Sequence, residues 1–343
     1  MKKNNYILIL SVISALFVVC LHMNFSWTYF TTEKWWLTSN IFRGVCYPAV
    51  PIFFMITGVT LMDYKKKYDT KTFFKKRSKK ILIPFLVWSV IAIIYNLATH
   101  QISIEDLSVH SILYGIINTK YQDVYWFFPA YISICLCMPL FASINDDSKK
   151  KVFAYLVVVY LIFNCIYPFV NTLFKLNIPM PISVYSLSGY IFYPVLGYLL
   201  HNCELKKKHR CVIYLFGLIG LLSITLGTYF YSMHDGKIND VFMGYQNLPC
   251  VLYAAAIFVF VKYTAKYILK YNIVLKTFNL IGSYTFAIYL IHNFVRNFIV
   301  ITFHPNTVSV WWRTVCVIPI AAICIAIAYI LRKIKYVRAI VPE

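Results

Sequence analysis

The chain has 343 residues, of which 60% are hydrophobic and 13% charged, with a mean hydropathy of +0.68. A soluble domain of this length needs more charge over its surface, so the composition excludes that class and indicates a polytopic membrane protein. The net charge of +21 does not point to nucleic acid, because Lys and Arg sit in short loops between apolar runs, where anionic lipid headgroups account for much of it.

A membrane-crossing helix needs roughly 20 apolar residues. Ten spans are expected, at about 6–24, 43–62, 81–97, 125–142, 152–171, 184–201, 211–231, 247–265, 277–300 and 309–331. The opening MKKNNYILILSVISALFVVCLH imitates a signal peptide, but no small-x-small cleavage signature leads into a soluble domain. It is expected to stay as the first helix. Residues 25–42 contain Trp27, Trp35 and Trp36, a composition suited to the interfacial belt.

The stretch from Arg43 to Trp88 organises the chain: an apolar span with Pro48, Pro51 and Gly58, a basic loop, then a second span with Pro84 in its first turn. Residues 98–124 are long enough for a short surface or re-entrant helix over a cavity, and 231–249 form a further loop. All Lys and Arg except Lys34, Arg43, Lys120, Lys175, Lys237, Arg296 and Arg313 fall on one side if the spans alternate from a cytoplasmic N-terminus. That asymmetry predicts both termini inside. The expected fold is a single all-α membrane domain over 1–343.

The ten cysteines form no C-x-x-C pair and mostly lie in apolar runs, where Cys behaves as a small hydrophobe. Neither a metal site nor a disulfide framework is expected. There is no G-x-S-x-G elbow, H-E-x-x-H helix or phosphate-binding glycine motif. The spans carry almost no Asp or Glu, which weakens the case for a proton-driven transporter.

His22 lies late in the first span, and an ionisable group there is a candidate functional residue and general base. A hydrogen-bonded structural histidine is the plain alternative. In FFKKRSKK, Arg77 and Lys80 are three apart and share a helical face if the third helix begins early, so that with Lys76 they become phosphate ligands. Ordinary positive-inside topology explains the same run. His292 and Arg296, four apart in the ninth span, face one way and suggest a wet cavity. Structural roles are the plainer reading of Trp126, Pro129 and Pro139.

Taken together, His22, VPIFFMITGVTLM (50–62), FFKKRSKKILIPFLVW (73–88), YWFFPAYISICLCMPL (125–140), YIFYPVLGYLL (190–200) and IGSYTFAIYLIHN (281–293) resemble the integral-membrane acyltransferase-3 family. These are bacterial enzymes that O-acylate surface glycans. The resemblance implies transfer of an acyl group, most often acetyl from acetyl-CoA, to a glycan hydroxyl at the bacterial cytoplasmic membrane. It makes His22 the base and Arg77, Lys80 and Lys76 the CoA ligands. Tyr47, Tyr289, His292 and Arg296 become positioning or oxyanion candidates. A direct transfer and an acyl intermediate on Cys20 or Ser26 both fit, with direct transfer preferred.

Two departures stand out. The family has a basic residue eleven positions before its histidine, where this chain has Ser11, with Lys2 and Lys3 further toward the terminus. Its arginine–x–x–arginine pair is here Arg77 and Lys80. A polysaccharide or lipid-linked sugar transporter, and a non-catalytic membrane partner of the same fold, are the competing readings. A deep cavity reaching from the basic loop toward His22 is expected, since that histidine lies roughly 24 Å along its helix from Tyr6.

Overall fold

The structure is a computed structural model that describes residues 5–180 and 189–342. Lys2, Lys3 and the first residues of the expected span at 184–201 lie outside the described residues. Among those described, the chain is all-helical. Eight helices are long and apolar enough to cross a membrane: Asn5–Met23, Lys34–Lys66, Thr70–Ala98, Asp123–Ala142, Asp146–Leu173, Lys207–Asp235, Leu248–Ile268 and Thr285–Phe303. The other two expected spans contain the shorter helices Phe192–Asn202 and Val317–Lys333.

The first helix is the hub. It has a mean hydropathy of 2.5 and no Asp, Glu, Lys or Arg. Ile9, Leu10 and Val19 are all buried although they project in different directions. A helix apolar all round needs protein on several sides. It finds it in Ala49–Leu61, Leu248–Ile268, Thr285–Phe303 and Val317–Lys333.

The second long helix bends between its halves Lys34–Cys46 and Ala49–Leu61. Pro48 and Pro51 supply no N–H to the helical ladder there, which permits the bend. Ala49–Leu61 then packs closely on Phe192–Asn202. A Cβ at Gly58 would overlap the Pro194 carbonyl, and one at Gly197 would overlap the Met55 backbone. Backbone contact of this kind is the usual reason for glycine at a helix interface in a membrane.

The third long helix starts as early as the phosphate-binding reading requires. The Asp69 carboxylate accepts from the Thr72 amide at 3.1 Å and caps it at Thr70. The hydrogen bonds to Thr72 hold that carboxyl below the usual carboxylate range. Between Thr70–Arg77 and Ile83–Ala98 runs a π-helical turn, Ser78–Leu82, with the Ile83 amide bonded to the Ser78 carbonyl. Pro84 cannot donate to Lys80, and the wider turn absorbs that lost bond. The basic loop is also tied down at its other end. Lys149, 3% exposed, reaches Asp63 at 2.9 Å, and Lys66 meets Asp146 at 2.8 Å.

Three expectations need correction. Trp27 and Trp36 are buried rather than placed in an interfacial belt. The Trp27 indole donates to Asn40 at 3.0 Å and the Trp36 indole to the Trp27 carbonyl at 2.9 Å, so both serve a packed corner. The second span does not begin at 43, since its helix already starts at Lys34. The ninth span does not begin at 277: Asn272–Gly282 is a separate short helix, and the long one starts at Thr285 after a turn at Ser283–Tyr284.

Candidate active site

His22 is the penultimate residue of the first helix. It lines a cavity of about 550 Å³ walled by three distant parts of the chain. The bent second helix contributes Arg43, Tyr47 and Val50, and Thr285–Phe303 contributes Tyr289, Asn293, Arg296 and Asn297. The third wall is the 98–124 segment, with its short helix Val109–Ile117, which supplies Gln101, Lys120, Tyr121, Gln122 and Asp123. That segment lines the cavity through residues on either side of its short helix, none of whose own residues reach the lining.

Beside His22 stands His292, with ring centres 5.1 Å apart. The His292 Nδ1 is 2.8 Å from the Tyr289 carbonyl and 3.0 Å from that of Ile288. Carbonyl oxygens only accept, so Nδ1 carries the hydrogen. Nε2 is buried with no hydrogen-bond partner. One imidazole of fixed orientation therefore flanks a second that faces the cavity. Arg296, one turn further on, is held by the Asn297 amide oxygen at 3.0 Å and that of Asn293 at 3.4 Å.

A second cavity, of about 260 Å³, lies toward the basic loop. Arg77 and Lys80 both line it, as their spacing predicts, and so does Ser11. The position where the family carries a basic residue thus does face the cavity, and here it brings a hydroxymethyl group. Lys76 does not line it; its ammonium lies 4.0 Å over the Tyr68 ring. The remaining walls are mostly apolar, including Phe53, Ile56, Ile81 and Phe286.

The two cavities abut. Val18, Val50, Phe127 and Tyr289 line both. Along the first helix, Ser11 to Val18 spans about 10 Å and Val18 to His22 about 6 Å more. The pair of cavities therefore covers the distance from the basic loop to the histidine, with a thin side-chain wall between them. Tyr289 belongs to that wall, and its hydroxyl donates to the Val124 carbonyl. Tyr47 stacks on Tyr245 with centres 4.9 Å apart. Neither Cys20 nor Ser26 lines either cavity; the Cys20 thiol points at the Arg313 carbonyl, 3.8 Å away.

The site contains residues that sequence reasoning passed over, Arg43, Asn96, Gln122, Tyr245 and Asn293, and Trp126, for which a structural role was the plainer reading. Arg43 did carry a signal, being one of the few basic residues that break the positive-inside pattern. Among the described residues no cluster of three or more His, Cys, Asp or Glu is arranged to hold a metal ion.

Comparison with known proteins gives one match. A family model described as an acyltransferase domain, Acyl_transf_3, matches residues 4–330. No curated protein and no solved structure matches the chain.

Proposed function

The chain belongs to the integral-membrane acyltransferase-3 family, and from that premise we propose that it transfers acetyl from acetyl-CoA to a hydroxyl of a surface or lipid-linked glycan. Membership supports a membrane-bound acyltransferase activity in general. The observation that carries the finer reading is the pair of abutting cavities, one with a cationic end and one lined by the His22 imidazole, with His292 packed beside it.

In this reading Arg77 and Lys80 grip CoA phosphates at the cytoplasmic face, and Lys76 stays outside the grip. The slot beyond them, at about 260 Å³, is smaller than the ~300–1,000 Å³ usual for a drug-sized ligand. It suits a slender pantetheine arm rather than a whole nucleotide. The thioester passes the wall at Val18 and Phe127 and meets the acceptor in the larger cavity. His22 takes the hydroxyl proton as the sugar oxygen bonds to the acyl carbon, and returns it to the departing CoA thiolate. His292 orients His22 from behind. Tyr47 faces the developing oxyanion and Arg296 positions the acceptor beside it, whereas the engaged hydroxyl of Tyr289 suits a wall residue better than a donor. Transfer is direct, supported by the absence of Cys20 and Ser26 from the cavity lining.

The enzyme in this reading spans a bacterial cytoplasmic membrane ten times with both termini inside. The attachment of the basic loop to the start of the Asp146–Leu173 helix through Asp63 and Lys149 supports placing that helix start and the loop on one face. Purified full chain with labelled acetyl-CoA and a glycan extract tests the activity: label should enter glycan, and His22→Ala should stop it. Ser11 in the donor cavity favours a second reading, a non-catalytic partner of the same fold. Failure to bind or turn over acetyl-CoA would support that reading, and glycan movement without acylation would indicate a transporter.

A further inference from the structure

We infer that the acceptor carries an anionic group, a carboxylate or a phosphate, held in the histidine cavity by Arg43 and Arg296 beside the reacting hydroxyl. The inference rests on the acyl-transfer reading and adds a charge to its acceptor. Three cations line this cavity, Arg43, Lys120 and Arg296, against one carboxylate, Asp123. Among the described residues none of the three takes part in an ion pair. The Nε atoms of Arg43 and Arg296 are buried without a hydrogen-bond partner. Arg43 rests 4.5 Å over the Trp27 ring, and Arg296 meets the neutral amide oxygens of Asn293 and Asn297 and lies 5.5 Å from the centre of the Phe25 ring. Half-buried guanidinium groups whose Nε atoms find no partner, lining a cavity without a counter-ion, are stabilised when a ligand supplies one.

Topology does not call for these charges. All three are among the few Lys and Arg outside the basic loops, where the positive-inside rule exerts no pull. Arg313 shows what a purely structural cation looks like in the same class. It is fully buried and donates to the Trp35 carbonyl at 3.0 Å, the Val308 carbonyl at 3.1 Å and the Thr38 hydroxyl at 2.9 Å. Nor do donor phosphates explain Arg43 and Arg296, because the donor cavity beyond the wall has its own pair in Arg77 and Lys80. A guanidinium fork matches a carboxylate or a phosphate, and the neighbouring Asn96, Gln101, Gln122 and Asn293 suit sugar hydroxyls.

The test uses purified full chain, labelled acetyl-CoA and a cell-envelope glycan and glycolipid extract, with the labelled product run on an anion-exchange column before and after mild acid that splits glycosyl phosphates. Retention before acid is expected. Retention that survives acid assigns the charge to the sugar itself, as a carboxylate or a phosphate ester, and retention lost on acid assigns it to a carrier phosphate. A labelled product that is neutral before acid overturns the inference and leaves acyl transfer standing. No labelled glycan at all removes the transfer reading, and the inference with it. As a second arm, Arg43→Gln and Arg296→Gln should each raise the acceptor KM about tenfold, with the acetyl-CoA KM unchanged and a flatter salt dependence. Arg43→Lys should recover part of the loss. Wild-type acceptor KM and salt dependence in both glutamine variants would overturn the inference.

Discussion

The two cavities differ in almost every physical respect although they share a wall. The one at the basic loop is narrow and mostly apolar, with cations at Arg77 and Lys80. The one at His22 has about twice the volume, 550 against 260 Å³, and is lined by amides, cations, an aromatic stack and an imidazole. A site with one charged end and greasy walls selects a thin chain with an anionic head. A roomy polar site selects a hydroxylated guest. Under the proposed function the difference means that donor and acceptor are recognised by separate chemistry and meet only at the wall formed by Val18, Val50, Phe127 and Tyr289.

The sharpest way to separate the cavities is to remove the group that serves only one. His22→Ala should lower kcat by about 10²–10⁴-fold, as expected for loss of a general base, while CoA still binds in an equilibrium assay. Loss of CoA binding would place His22 in the donor site instead. Thickening the wall comes next. Val18→Phe should cut transfer about a hundredfold by misplacing the thioester, with donor and acceptor affinities retained and an unchanged melting temperature as the folding control. Full activity in that variant would mean the reactants meet elsewhere.

Smaller effects test the inner assignments. Arg77→Ala should raise the acetyl-CoA KM by roughly 10–100-fold, the range for a lost charge-assisted hydrogen bond, and leave kcat nearly unaltered. His292→Ala should do the reverse, lowering kcat about tenfold at constant acetyl-CoA KM, because it acts through His22. Lys76→Ala should change neither constant beyond about twofold, since its ammonium rests on Tyr68 and an exposed charge contributes little. An effect of Lys76 as large as that of Arg77 would move the phosphate grip out of the cavity and onto the loop surface.

What was legible in the sequence was what local rules encode. His22 stood out because hydrocarbon penalises an ionisable side chain, and Arg77 with Lys80 stood out by spacing on a helix that Asp69 caps early. A cavity at His22 was expected, but most of its lining was not legible. Arg43, Gln122 and Asn293 come from three separated segments, and each is an ordinary residue until the bend at Pro48 and the fold of the 98–124 segment bring them together. Trp27 and Trp36 misled for a related reason. Their composition fits a lipid interface and a packed corner equally, and only their indole hydrogen bonds to Asn40 and to the Trp27 carbonyl decide between them. In the 184–201 span the described helix Phe192–Asn202 packs through Gly197 directly on the Met55 backbone, a contact that hydropathy does not register.

The most direct test of the central claim is the structure of the full chain with CoA bound. The account predicts phosphate density against Arg77 and Lys80, with the sulfur passing the Val18–Phe127 wall and ending next to His22. A nucleotide seated in the His22 cavity among Arg43 and Arg296, or a pantetheine arm lying outside the Ser11-lined slot, would contradict it.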